Sequence, residues 1–425
     1  MVASAGTGAC PPWRGRAAGD GVRVVRSKGR ERQVVLYCAM ALFVSGYAFQ
    51  ALSFSMPGLV HDWQLESALI GPLLSSAIFG LLLGYIFVAP LADRVGERPV
   101  LCGAMLGLAL ATMVCVVAPG FEVLFLGRVL TGIAIGAALP SAVSIASQHG
   151  RMRWRGAQVV GIYVAFSLGF LAAGLVSGWV VPRSGWRAPW GATVPLALLI
   201  AAMLSAALPV EEIKPRSASP LAALFAPRLR AGTVLFWIMF SIGLGLFYAL
   251  QSWLPLLTAR EGLSYSSAVA ATSMFTLGTA LGALPMIWWA DRMGPFRALV
   301  AMSAVGLTGI VFLGTFAARG GAPFHAAAML AGVGIGGGQK GMIAAASLFY
   351  PPAARATGLG WALGLGRIGA ACGPLLIGYL TMRDVESGTA LLCLALPVPL
   401  VMMAAGCLER TYGRIDRAVH HPPSL

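Results

Sequence analysis

The chain has 425 residues, of which 58% are hydrophobic and only 11% are charged, and its formal net charge is +15. A soluble domain carries about 25% charged residues, so this composition excludes a set of soluble domains and reads as an integral membrane protein. The excess of Lys and Arg marks one side of a bilayer, as set out below, and is not read as a nucleic-acid interface.

Residues 1–33 form a basic arm with no apolar stretch, so they are not read as a secretory signal. Each span of a bilayer needs roughly 20 apolar residues. Twelve such runs follow, at about 34–58, 69–91, 99–118, 122–147, 157–180, 188–209, 232–257, 268–290, 297–317, 324–348, 357–381 and 388–408. Short segments rich in Pro, Gly and charge, such as "HDWQLES" and "TAREGLSYSS", divide them. The expected class is all-α and membrane-embedded: a six-helix bundle over 34–209, a linker at 210–231, a second bundle over 232–408 and a tail at 409–425.

Basic residues of the termini and even-numbered loops include Arg94, Arg98, Arg151, Arg153, Arg155, Arg228, Arg292 and Arg355, whereas the odd-numbered loops hold Arg183, Arg187, Arg260, Arg319 and Arg383. The positive-inside rule then places both termini in the cytoplasm, with the plasma (bacterial inner) membrane as the expected location. None of the 7 Cys falls in a loop placed outside, so no disulfide framework is expected.

The two halves repeat each other. "FGLLLGYIFVAPLADRVG" at 79–96 aligns with "LGTALGALPMIWWADRMG" at 277–294, matching Gly80, Gly84, Asp93, Arg94 and Gly96 to Gly278, Gly282, Asp291, Arg292 and Gly294. Further on, Gly132, Gly136 and Gly169 match Gly332, Gly336 and Gly369. This decides the reading of "AGVGIGGGQKGM" at 331–342. A phosphate-binding loop needs Gly before its Lys and Ser or Thr after it, but Gln339 and Gly341 flank Lys340. Glycines four apart on an apolar helix instead let two helices approach closely.

Two six-helix halves, each with an "ADRxG" loop after its second span, resemble the major facilitator superfamily. The resemblance gives Asp93, Arg94, Asp291 and Arg292 a gating role through charge pairing between helix ends; capping and pairing of those ends is the plainer alternative. Within the superfamily, "LGRVLTGIAIGAALPSAVSIAS", "SWLPLLTAREGLS" and above all "RATGLGWALGLGRIGAACGP" at 355–374 resemble the aromatic acid:H+ symporter family. That resemblance implies import of benzoate-like or phenylpropionate-like carboxylates together with protons.

The chain departs from that family pattern in three places. Ser45 and Ala48 stand where the first helix usually carries two carboxylates. Gln148 replaces a Glu at the end of span four, and "GERP" at 96–99 has Glu97 where a basic residue is usual.

The deep ionisable residues of the spans are Arg128, Lys340 and Arg367, while the acids lie in tails, loops or span ends. A mid-membrane cation costs about 2.5–3.5 kcal/mol on an insertion scale. Two accounts stay open: satisfaction by backbone carbonyls and snorkelling, or an electropositive pocket for an anion, which a planar guanidinium suits bidentately. Tyr47 and Gln50 on span one, Tyr248 and Gln251 on span seven, Gln339 on span ten and Trp361 on span eleven complete the candidate pocket, since the resemblance implies that first and seventh helices line the cavity. Glu122, about two turns before Arg128 and expected on nearly the same helix face, is a candidate proton relay coupled to it.

The reading is a secondary carrier, expected to be monomeric, for a small organic anion such as an aromatic carboxylate, with protons as an implied second cargo. A multidrug or metabolite exporter and a non-transporting membrane receptor are the alternatives. No nucleophile–base constellation, metal cluster or cofactor loop is found, so an enzyme is not expected.

Overall fold

The structure, a computed structural model, describes residues 28–149, 155–208 and 224–420. The basic arm up to residue 27 and most of the 210–231 linker therefore lie outside the described residues.

The described residues form helices and connecting turns, with no strand among them. We number the long helices α1 to α12: Lys28–Trp63, Ser67–Val95, Glu97–Val117, Phe121–His149, Arg155–Ser184, Ala188–Ala207, Arg230–Arg260, Tyr265–Met293, Pro295–Thr315, Gly321–Phe349, Pro352–Met382 and Ser387–Thr411. Eleven are long and apolar enough to cross a bilayer. The exception is α10, which matches the others in length but owes much of its composition to glycine. Twelve spans were expected, and the glycine run that raised the phosphate-loop question lies inside this helix.

Glycine explains how the bundle closes up. A Cβ on Gly80 would lie 2.0 Å from the Val129 carbonyl oxygen, and one on Gly132 would lie 2.0 Å from that of Ala77, so α2 and α4 touch backbone to backbone. Their repeat partners do the same between α8 and α10, where Gly278 faces Met329 and Gly332 faces Phe275. Without a hydrophobic drive between helices in lipid, such approach is what holds them together. The repeat also ends alike in both halves. Gly96 and Gly294 adopt φ of 94° and 90°, a region that residues with a Cβ avoid, which accounts for the glycine that closes each "ADRxG" loop.

The halves meet along α1 with α7, α2 with α11 and α5 with α8. The closest approaches favour one end. Gly71 and Gly378 pack backbone to backbone. The Tyr265 hydroxyl donates to the Phe54 carbonyl at 3.0 Å, Ser75 to the Ala371 carbonyl at 3.1 Å, and Arg260 to Ser67 at 3.1 Å. All these residues lie in the stretch of each helix nearer the connections at Trp63–Ser67, Arg260–Tyr265 and Met382–Ser387. At the opposite end, Asp93, Arg94, Asp291 and Arg292 are exposed, and Arg292 stacks on Trp288 at 3.8 Å.

One irregularity bears on the site. Helix α2 opens from α-geometry into a π turn at Gly84–Val88 and then a 3-10 turn at Ala89–Leu91. A π turn adds one residue to a helical turn and is common at functional positions.

Candidate functional site

The three deep cations have three different settings. Helix α4 turns Arg128 against α1, where it is 3% exposed. Its Nη1 donates to the Ala48 carbonyl and its Nη2 to the Phe49 carbonyl, each at 2.9 Å. Both terminal nitrogens are thereby satisfied by backbone, and Nε is buried without a hydrogen-bond acceptor. In this conformation Arg128 fastens α4 to α1. Ala48 is itself buried, and the Ser45 hydroxyl donates to its own helix at Ala41, 2.8 Å away. The positions where the family pattern has carboxylates are thus closed and packed.

Arg367 sits where the two halves meet. Its Nη1 donates to the Tyr248 hydroxyl of α7 at 2.9 Å. The guanidinium carbon lies 5.2 Å from the ring centre of Tyr85 on α2 and 5.9 Å from that of Tyr248. Tyr163 of α5 is also within electrostatic reach and is 47% exposed. Phenols from α7 and α2 therefore border one guanidinium, and Arg367 is only half-buried. Neither Tyr85 nor Tyr163 was singled out from the sequence. Tyr85 is the second residue of the π turn, and that turn's extra residue shifts the face on which a straight helix would present it.

Beside this group runs an aromatic wall. Phe49 packs edge-on to Tyr248 at 5.5 Å and stacks on Phe170 at 5.7 Å, while Phe247 meets Tyr248 at 5.0 Å and Phe166 meets Phe170 at 4.9 Å. Phe49, Phe170 and Tyr248 are buried, so the faces left for a planar acid in offset or edge-on contact, with its carboxylate on Arg367, are those of the half-buried Phe166, Phe247 and Tyr85.

Lys340 is the most open of the three cations. Its Nζ donates to the Thr279 carbonyl of α8 at 2.5 Å and to the Gly336 carbonyl at 3.3 Å. Gln339 beside it turns the other way, donating to the Gly243 carbonyl of α7 at 3.0 Å.

The remaining candidates divide in the same manner. Gln50 donates to the Gln251 carbonyl at 3.0 Å, and the Gln251 side chain pairs with Thr276 at 3.1 Å. These two glutamines end the segments "YAFQ" at 47–50 and "YALQ" at 248–251, a repeat between α1 and α7 that brings both first helices of the halves together. Tyr47 is not at Arg367. Its hydroxyl donates to the Pro189 carbonyl at 2.8 Å, toward α6. Trp361 is half-exposed and lies 6.4 Å from Trp237. Glu122 is exposed, whereas Arg128 is buried. Six residues advance a helix about 240° beyond one full turn, so the two do not share a face and the expected coupling between them is absent in this conformation.

Two of the family departures meet in space. The Gln148 amide donates to Glu97 at 2.9 Å and to Ser144 at 3.1 Å, and Ser144 donates to the other Glu97 oxygen. An acid–amide contact thus joins α3 to α4 where the family pattern would pair a base with an acid.

Among the described residues no cluster of His, Cys, Asp or Glu could hold a metal ion. The family model for the Major Facilitator Superfamily matches residues 38–275 and 262–418. A gallate transporter of Pseudomonas putida is 31% identical over 416 residues, covering 90% of this chain and 92% of the relative. A 4-hydroxybenzoate transporter of Pseudomonas aeruginosa is 29% identical, covering 88% and 91%. Among solved structures, a bacterial homologue of the human lysosomal transporter Spinster, in an inward-facing and occupied conformation, superposes with a TM-score of 0.71 at 17% identity, covering 91% of this chain and 98% of that one.

Proposed function

The chain belongs to the major facilitator superfamily, and from that premise we propose that it carries an aromatic carboxylate across the plasma membrane by alternating access. The observation that carries this reading is Arg367 at the junction of the halves, held by Tyr248, faced by Tyr85 and bordered by the Phe49–Phe170 wall. The carboxylate docks on the guanidinium, the ring lies against the aromatic faces, and rocking of the halves about this mid-membrane point exposes it to either side. The names of the relatives, which transport gallate and 4-hydroxybenzoate, support the same class of cargo.

With both termini in the cytoplasm, as the distribution of Lys and Arg supports, we read the conformation as inward-open. The closest approaches between the halves then lie toward the outer end, and Asp93 and Asp291 are exposed at the cytoplasmic end. These two residues pair with helix ends across the gate in the opposite state. We read the units as bundles over 34–209 and 232–408 in a monomeric carrier, not an enzyme.

The test is uptake of radiolabelled 4-hydroxybenzoate into proteoliposomes. Saturable uptake that competing aromatic acids suppress and Arg367→Gln abolishes is expected. Binding without uptake would make the protein a receptor, and neither would refute the reading.

A further inference from the structure

The three deep cations can each be checked for a counter-charge, whereas Arg297, near a helix end, pairs with Glu409 at 2.9 Å. Arg128 faces the Ala48 and Phe49 carbonyls. Arg367 faces Tyr248 and Tyr85. Lys340 faces the carbonyls of Thr279 and Gly336. Among the described residues no carboxylate is recorded beside any of these three. The described acids, Glu97 and Glu122 among them, sit at helix ends or in connections, and the family positions Ser45 and Ala48 are sealed.

Two consequences follow. First, among the described residues no carboxylate stands beside these cations to bind a proton in step with the cargo. Second, closing the cleft on an empty site takes the half-open Arg367 and Lys340 out of water with their charge unbalanced. That desolvation carries a penalty, which a bound anion reduces by balancing the charge.

We propose that this carrier is an obligate exchanger: it reorients readily when its cleft holds an organic anion, stalls when empty, and so trades one carboxylate for another instead of running on a proton gradient. The proposal rests on the carboxylate-carrier reading above and adds its mode of coupling. Its chemistry requires a second anion on the far side, a product carboxylate of the pathway that consumes the import, or the cargo itself.

The experiment uses the purified full chain in proteoliposomes with radiolabelled 4-hydroxybenzoate outside. One set of vesicles is loaded with unlabelled 4-hydroxybenzoate and another with buffer. Initial uptake into loaded vesicles is expected to be about tenfold faster, a barrier difference of about 1.4 kcal/mol. An acid-outside pH gradient across unloaded vesicles is expected to change the rate by less than about twofold. Lys340→Met lowers the charge left in the empty cleft, so it should raise net uptake and narrow the ratio to about threefold, a change of roughly 0.7 kcal/mol. Unloaded vesicles that match loaded ones under a pH gradient would overturn the exchange proposal while leaving the carrier reading intact. An unchanged ratio in Lys340→Met would overturn its electrostatic basis. Failure to transport in every arm, with no binding either, would overturn both readings.

Discussion

Arg128 and Arg367 look alike in the sequence, each a lone arginine deep in a glycine-rich apolar helix, yet the fold uses them oppositely. Arg128 is sealed against α1 with both terminal nitrogens on backbone carbonyls. Arg367 is half-open, held by one phenol and faced by another across the junction of the halves. The difference teaches that depth of a charge in a span does not identify a ligand site. What identifies it is whether the hydrogen-bonding capacity of the group is already used by its own half of the molecule.

The sharpest way to break the contrast is Arg367→Gln. Loss of a hydrogen-bonded charge partner is expected to weaken carboxylate binding by about 1.5–3 kcal/mol, or roughly 10- to 100-fold, with the melting temperature unchanged, as read by thermal shift and uptake. Arg128→Gln should do the reverse. It removes the fastening of α4 to α1 and is expected to lower stability by about 1–3 kcal/mol while affinity changes little; an affinity loss equal to that of Arg367→Gln would erase the distinction. Tyr248→Phe deletes the hydroxyl that positions Arg367 and is expected to cost about 1 kcal/mol of binding, roughly fivefold, measured as a rise in Kd. Asp93→Asn, far from both arginines, should leave affinity intact and move cysteine accessibility toward the inward-open state. Gln50→Ala is expected to have the smallest effect on binding, under about twofold, because its amide serves the contact between α1 and α7.

The helices, the repeat and the three deep cations were legible in the sequence for a physical reason. Lipid demands long apolar runs, and helices in lipid approach through small residues, so both features are written in composition and spacing. The direction of a side chain is not. Nothing in "LGRVLTGIAIG" tells that Arg128 turns toward the first helix, and nothing in "SGYAFQ" tells that Tyr47 turns toward Pro189 and away from the pocket. Glu122 and Arg128 were taken as neighbours by their separation along the chain, and the 3.6-residue repeat of the helix parts them. Tyr85 carries no charge to mark it in an apolar span, and the π turn breaks the periodicity by which faces are assigned. The "YAFQ" and "YALQ" pair could have been found from the letters alone; it falls at an offset slightly different from those of the glycine matches.

The π turn at Gly84–Val88 has a mechanical meaning. A single surplus residue puts the stretch before it and the stretch after it out of phase by about 100°. Tyr85 lies at one edge of that phase slip, and Asp93 lies beyond it on the same continuous helix. If the surplus residue migrates along α2, or is drawn back into regular winding, the far segment turns like the shank of a screw without any helix having to tilt. A ring settling against Tyr85 and the loop that carries Asp93 are then two ends of one torsional linkage, whose travel is measured in whole residues.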